Sequence, residues 1–186
     1  LIHRSELRIP GDHNLENAMC AASLALCMGL DPEAVCRGLR TFGGVEHRIE
    51  FVREVEGVRY INDSKGTNPD STIKAVQAMD RPTVLMLGVG DYDKKSDFAP
   101  LFEVFGDTVK AVIASGCNIP TIKNAAERTG YKNVEEWYGD FEGMIRRAGE
   151  LAGPGSTVLL SPAAASWGQF DNFEQRGDIF KDIVNK

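Results

Sequence analysis

From residue 49 to its end the chain alternates short apolar runs with longer amphipathic stretches. The runs IEFVREV (49–55) and VRYIND (58–63) flank Glu56-Gly57, a pairing that predicts a hairpin because a Gly-containing dipeptide suits a tight turn. Helix PDSTIKAVQAM (69–79) then leads to strand TVLMLG (83–88), and helix SDFAPLFEVFG (96–106) to strand VKAVIAS (109–115). Helix NIPTIKNAAERTG (118–130) leads to the short segment NVEEWY (133–138). Helix FEGMIRRAGELAG (141–153) precedes strand STVLLS (156–161), and a last helix covers roughly 172–185. Strands with few polar residues, separated by helices, predict an α/β fold: a mostly parallel sheet with helices on both faces.

The first 44 residues differ. NLENAMCAASLALCMG (14–29) predicts an Ala-rich helix with Asn14 as N-cap and Gly29 as its stop. DPEAVCRGLRTF predicts a second helix, with Asp31 as cap, Pro32 in the first helical position and Val35, Leu39 and Phe42 on one face. Gly43-Gly44 marks a boundary between a helical unit, 1–44, and a larger one, 45–186. The start LIHRSELRIPG has neither Met nor the profile of a signal peptide, and reads as an internal cut in a longer protein.

Composition narrows the function. At 186 residues with 42% hydrophobic and 26% charged positions, the chain can bury a substantial core and is not of disordered type. A net charge of −6 argues against nucleic acid as a partner, and the longest apolar windows are too short to span a membrane. Cys20, Cys27, Cys36 and Cys117 form no CxxC and have no His at metal-ligand spacing. They read as reduced core thiols of a cytoplasmic protein, with no metal site among them.

Ligands of parallel sheets bind at the carboxyl ends of the strands, so the residues after each apolar run carry the candidate chemistry. In NDSKGTN (62–68), turn chemistry accounts for Asn68 as a helix cap before Pro69, and leaves Asp63 and Lys65 unexplained. Lys65 suits an anionic group, and Asp63 a ribose or a metal-bound water. GVGDYDKKSDF (88–98) is neither G-x-G-x-x-G nor a Walker loop; it is either a phosphate loop or a solvated one with Ser96 as N-cap. In SPAAASWGQF (161–170) the small residues serve either close backbone approach to a ligand or tight helix–sheet packing around Trp167, Phe170 and Phe173. Ser161 and Ser166 have no nucleophile-elbow pattern around them. Asn14 and Asn17 share one helical face, and His47 and Arg48 form another polar cluster. The asparagine pair suits a ribose or purine, or plain capping; His47 reads as a hydrogen-bonding loop residue and Arg48 as a surface ion-pair partner.

Read in order, the clusters are more specific. G-x-H-N-x-x-N (11–17), H-R-x-E (47–50), N-D-S-K-x-T-N-P (62–69), a Gly-rich D-K segment, L-S-P-A-x-A-S-x-x-Q-F (160–170) and F-E-x-R-G-x-x-F (173–180) together resemble the Mur ligase family. The NDSK-TN and SPA-AS-QF segments resemble its D-glutamate-adding branch. The resemblance implies a Rossmann-like C-terminal domain, 45–186, preceded by the helical tail of a central ATP-binding domain, 1–44. It implies an ATP- and Mg²⁺-dependent amide ligase of peptidoglycan synthesis, joining D-glutamate to UDP-N-acetylmuramoyl-L-alanine through an acyl phosphate. The full-length enzyme would be a cytoplasmic monomer. Asn14, Asn17, His47, Arg48 and Asp63 would contact ATP, and Lys65, Thr67, Lys94, Ser166, Trp167 and Phe173 would hold D-glutamate. Asp63 and Lys65 stand as the catalytic candidates, Lys65 as an electrostatic group rather than a general base. Departures are Gly168 where Asp is usual, Ala164 where Cys is common, and one extra residue in GVGDYDK, which leaves Asp91 and Asp93 without an assigned counterpart. The P-loop, the magnesium ligands and the UDP-binding domain have no counterpart in this chain, which alone is expected to be inactive. Alternatives are another amide ligase of the Mur/folylpolyglutamate superfamily or a free-standing Rossmann-like binding module.

Overall fold

The expected hairpin forms the start of the sheet in a computed structural model that describes residues 1–186. β1 (Glu50–Val55) runs antiparallel to β2 (Val58–Asn62), joined through Glu56 and Gly57 at φ of 50° and 79°. Two successive positive φ values make a turn whose twist matches that of paired strands. The chain continues through α3 (Pro69–Gln77), β3 (Thr83–Leu87), α4 (Ala99–Glu103) and β4 (Val109–Ser115). It then forms α5 (Ile119–Thr129), β5 (Val134–Trp137), α6 (Phe141–Ala152), β6 (Thr157–Leu160) and α7 (Phe173–Asn185). The strands lie in the order β1-β2-β6-β3-β4-β5, and all neighbours from β2 onward are parallel.

Both faces of this sheet are covered, which explains why β3 and β6 are buried along their whole length. Leu85 and Leu87 pack with α3, α4 and α5 on one face, while Val84 and Met86 pack with α6 and α7 on the other. Strand alternation thus feeds two apolar layers from one continuous apolar run. The chain leaves β2 and β3 for helices on the first face but leaves β6, which lies between them, for α7 on the second. Loops that diverge in this way open a crevice at the strand ends.

The chain divides into compact units at Leu1–Val45 and Glu46–Lys186. The first holds α1 (Asp12–Cys27) and α2 (Pro32–Thr41) after a short 3₁₀ turn at Arg4–Glu6. α2 starts as expected, with the Asp31 side chain accepting from the Ala34 N–H and Pro32 in the first turn. Its face is narrower than expected. Val35 is buried and Leu39 half-buried, but Phe42 lies beyond the helix end and is exposed.

Other expectations need correction. α1 begins at Asp12 with Gly11 in the cap position, so Asn14 is inside the first turn and its Nδ2 donates to Pro10 O at 2.7 Å. Gly29 does end the helix, because Gly29 N–H bonds Leu26 O and Leu30 N–H bonds Ala25 O, the paired bonds of a Schellman stop. Cys20, Cys27 and Cys117 are exposed and Cys36 is half-buried, so none is a core thiol. α1 buries Ala18 and Ala22, and positions 20 and 27 fall on the opposite side of a 3.6-residue helix. α4 is shorter than the pattern implied and starts after Phe98. Asp97 rather than Ser96 takes the first-turn hydrogen bond, from Ala99 N–H.

Candidate active site

Asp63 follows β2 directly and is 4% exposed. Its Oδ2 accepts from Ser161 Oγ at 2.5 Å, and its Oδ1 from the Ile49 N–H at 3.2 Å. Ser161, directly after β6, also lies 2.9 Å from Thr72 Oγ1 on α3. Burial pushes the Asp63 carboxyl up to about 7, against the pull of the Ser161 and Ile49 bonds and of the Arg48 and Arg176 charges. Two hydrogen bonds to the carboxyl and two cations that make no bond to it do not replace the water that burial removes. Asp63 therefore ties the ends of β2 and β6 to the corner that precedes β1.

That corner carries His47 and Arg48. His47 and Ile49 both have positive φ, 63° and 48°, which is costly for residues bearing a Cβ, and doubly so for a β-branched one. Three bonds hold the corner: Lys65 N–H to His47 O at 3.0 Å, His47 N–H to Glu50 Oε2 at 2.9 Å, and the Ile49 bond to Asp63. The His47 ring is buried, with Nδ1 3.1 Å from Asn62 Nδ2. An amide nitrogen is a donor, so Nδ1 accepts and the ring proton sits on Nε2, facing Asp178 at 3.9 Å. Gly177 of α7 makes this fit possible, since a Cβ there would come within 2.2 Å of Nδ1. Arg48 is exposed beside this corner.

Arg176, also on α7, is fully buried and is the residue that ties the strand-end loops together. Its Nε donates to Ser64 Oγ at 2.9 Å and its Nη2 to Ser64 O at 2.7 Å, on the loop after β2. Its Nη1 donates to Val89 O, after β3, and to Ala164 O at 3.2 Å, after β6. Burial lowers the guanidinium to about 9, and the nearby Asp63 charge opposes that shift. Only a planar, many-donor head can satisfy acceptors on three loops at once.

The remaining predicted residues lie on this frame. Lys94 Nζ donates to Thr67 O at 2.9 Å, joining the loops after β3 and β2. Lys65 is exposed, with Nζ 5.5 Å above the Phe173 ring, and the Phe173 carbonyl accepts from Ser64 Oγ at 2.7 Å. Asn68 and Pro69 start α3 as expected, Asn68 accepting from the Ser71 N–H. Ser166 is buried, and Trp167 beside it is 55% exposed rather than part of the core. Asn14 and Asn17 belong to the first unit, in the first turns of α1, with Asn17 exposed. Thus Asp63, Lys65, Thr67, Lys94, Ser166 and Phe173 stand on or beside the loops after β2, β3 and β6. Lys65 and Lys94, exposed, and Thr67 and Phe173, half-buried, form an open shelf, while Asp63 and Ser166 are buried. A cavity of about 280 Å³ at the ends of β4 and β5 is lined by none of them.

Residues given no site role from the sequence complete the frame: Ser161 as donor to Asp63, Glu50 and Asn62 around His47, Ser64 and Arg176 between loops, and Gly177 against the imidazole. Arg176 and Gly177 stand in the quoted F-E-x-R-G string, so their signal was present, but a helical Arg reads as a solvated one until its burial is known. The shelf offers two exposed ammonium groups for anions, hydroxyls to orient them, and a rigid base.

Residues 47–164 match the family described as Mur ligase, glutamate ligase domain. A curated relative, UDP-N-acetylmuramoylalanine–D-glutamate ligase of Caldanaerobacter subterraneus subsp. tengcongensis, is 47% identical over 185 residues, which are 99% of this chain and 41% of that protein. The chain thus spans about two fifths of such a relative's length. Among solved structures, UDP-N-acetylmuramate–alanine ligase of Thermotoga maritima matches with a TM-score of 0.70 at 17% identity, over 96% of this chain and 39% of that one. The MurF ligase of the same organism, solved with ADP, matches with a TM-score of 0.61 at 17% identity, over 94% and 39%. These two establish the shared α/β fold.

Proposed function

The chain belongs to the Mur ligase family through its glutamate ligase domain, and from that premise we propose that it is the D-glutamate- and ATP-contacting C-terminal part of an enzyme that joins D-glutamate to UDP-N-acetylmuramoyl-L-alanine in peptidoglycan synthesis. The observation that carries this reading is the meeting of the loops after β2 and β3, where Lys94 bonds Thr67 O two residues from Lys65. Two ammonium groups on one shelf suit an amino acid with two carboxylates. ATP supplies the phosphoryl group that turns the acceptor carboxylate into an electrophile. This chain's part is to bind and orient. Lys65 and Lys94 hold the carboxylates of D-glutamate, Thr67 and Ser166 orient them, and Trp167 and Phe173 wall the shelf.

His47 and Arg48 face the nucleotide on this reading; the family motif assigns Asn14 and Asn17, in the first unit, to ATP as well. The Asp63 carboxyl already engages Ser161 and Ile49, so it serves the nucleotide by holding the His47–Arg48 corner in its strained form. No set of three or more His, Cys, Asp or Glu side chains in the chain is arranged to hold a metal ion. On this reading the magnesium ligands come mainly from the central domain of the full-length enzyme. The first unit is read as the tail of the central domain, a reading supported by the exposed apolar residues Met19 and Leu24 of α1 and Met28 just after it. No helix is long and apolar enough to cross a membrane.

The test is kinetic. In the full-length ligase, Lys94→Ala and Ser166→Ala should each raise KM for D-glutamate roughly 10- to 100-fold, the size expected for losing a hydrogen bond to a charged group. Unchanged D-glutamate use in both variants would remove the assignment of this shelf.

A further inference from the structure

Between Val89 and Phe98, each 1% exposed, the loop after β3 runs Gly-Asp-Tyr-Asp-Lys-Lys-Ser-Asp. Tyr92 is the one side chain in this stretch with an apolar body. Everything else there is glycine, charged or hydroxyl-bearing, and the residues from Asp91 to Lys95 are exposed. Such a stretch has no core contact of its own to fix it, yet Lys94 lies within it. Lys94 itself reaches Thr67 O on the loop after β2, and the backbone of the stretch is fastened to the loop after β6. Gly88 N–H donates to Pro162 O and Asp91 N–H to Trp167 O, both at 2.8 Å, and Tyr92 pairs with Ala165 in an isolated antiparallel bridge. The Tyr92 and Trp167 rings meet edge to face, with centroids 5.1 Å apart at 73°. Gly90 lets the two backbones touch, since a Cβ there would lie 1.9 Å from Ala165 O. Gly168 leaves room for Asp91, whose Cβ would be 2.7 Å from one at position 168. The extra residue in the loop and the glycine at 168 are therefore parts of one interlock.

We propose that Tyr92 is a positioning residue for the amino-acid substrate: by docking on Trp167 it fixes where Lys94 and Ser166 stand, and so sets affinity for a dicarboxylic amino acid. The inference rests on the functional reading above. Ser166 and Trp167 are adjacent, and Lys94 is two residues from Tyr92, so one ring contact places a shelf residue on each loop. The Tyr92 hydroxyl has no partner in the structure, so the ring is the working part. Tyr92 does not touch the reacting atoms and moves no proton.

The test uses the full-length ligase with Tyr92→Ala and Tyr92→Phe. Tyr92→Ala should raise KM for D-glutamate roughly threefold to tenfold, the range of an edge-to-face pair, with kcat and KM for ATP changed less than about twofold. Tyr92→Phe should restore the wild-type KM. Trypsin cleavage after Lys94 and Lys95 should become faster in Tyr92→Ala and not in Tyr92→Phe. An unchanged KM for D-glutamate, an equal rise in KM for ATP, or a Phe variant as impaired as the Ala variant would each overturn the proposal. If the wild-type enzyme does not use D-glutamate, the functional reading fails instead. The proteolysis pair then still decides whether Tyr92 fastens the loop, and equal cleavage in all three proteins would overturn it.

Discussion

The two units solve the problem of burying apolar surface in opposite ways. Glu46–Lys186 closes a sheet between two helical layers and buries Leu85, Met86, Leu87, Leu159 and Phe180 completely. Leu1–Val45 has two helices whose buried residues are Ala18, Ala22 and Val35, while Met19, Leu24 and Met28 are 61%, 61% and 79% exposed. Alanine burial contributes little, and leucine or methionine left in water contributes nothing. The larger unit also holds a polar lattice of Asp63, Ser161, His47 and Arg176, which only a well-filled surround can keep dry. A buried polar site thus goes with the unit that has a core to spare for it.

The strongest way to break this contrast is to cut the lattice. Arg176→Ala would leave carbonyls of Ser64, Val89 and Ala164 without their donor and should destabilise the larger unit by about 3–5 kcal/mol, the scale of losing one buried charged partner. Denaturant unfolding measures it, and Arg176→Lys should recover little, because one ammonium cannot span three loops.

Next in size is the response to pH. The Asp63 carboxyl titrates at about 7 in the fold against an ordinary 3.8. Between those values the native chain keeps a proton that the unfolded chain has lost, so stability from this group is full below about 4 and falls as pH rises toward 7. Asp63→Asn cannot titrate, so the denaturation midpoint of wild type should fall relative to that of the variant across this window. A constant difference between the two would show that Asp63 is ionised in the fold throughout.

Gly177→Ala is a smaller intrusion. Its methyl group would overlap the His47 ring and should cost about 1–3 kcal/mol, read in the same unfolding experiment. Leu24→Ala, on the exposed side of α1, should change stability of this chain by less than about 0.5 kcal/mol. A larger loss would mean that the first unit has a core where the structure shows none.

Much of the larger unit was legible because its signals are local. Apolar runs, Glu56-Gly57 and the Asn68-Pro69 start act within a few residues, and each formed the element that its chemistry implied. Local rules misled where a competing group stood just outside the window. Gly11 displaced Asn14 as the start of α1, and Asp97 displaced Ser96. The cysteines of α1 looked like core residues because an Ala-rich helix carries no strong polar stripe to show which side is buried.

By itself, then, the sequence determined the α/β order of elements and the family to which the ordered motifs belong. The tertiary structure alone decided that Arg176 is buried between three loops, that Asp63 faces Ser161 rather than water, and that Gly177 exists for His47. The physical reason is distance along the chain. Ser161 is 98 residues from Asp63, and Arg176 is 112 from Ser64, so no local pattern records the pairing. Only the parallel order β2-β6-β3 brings those strand ends side by side, and there burial turns ordinary polar residues into a site.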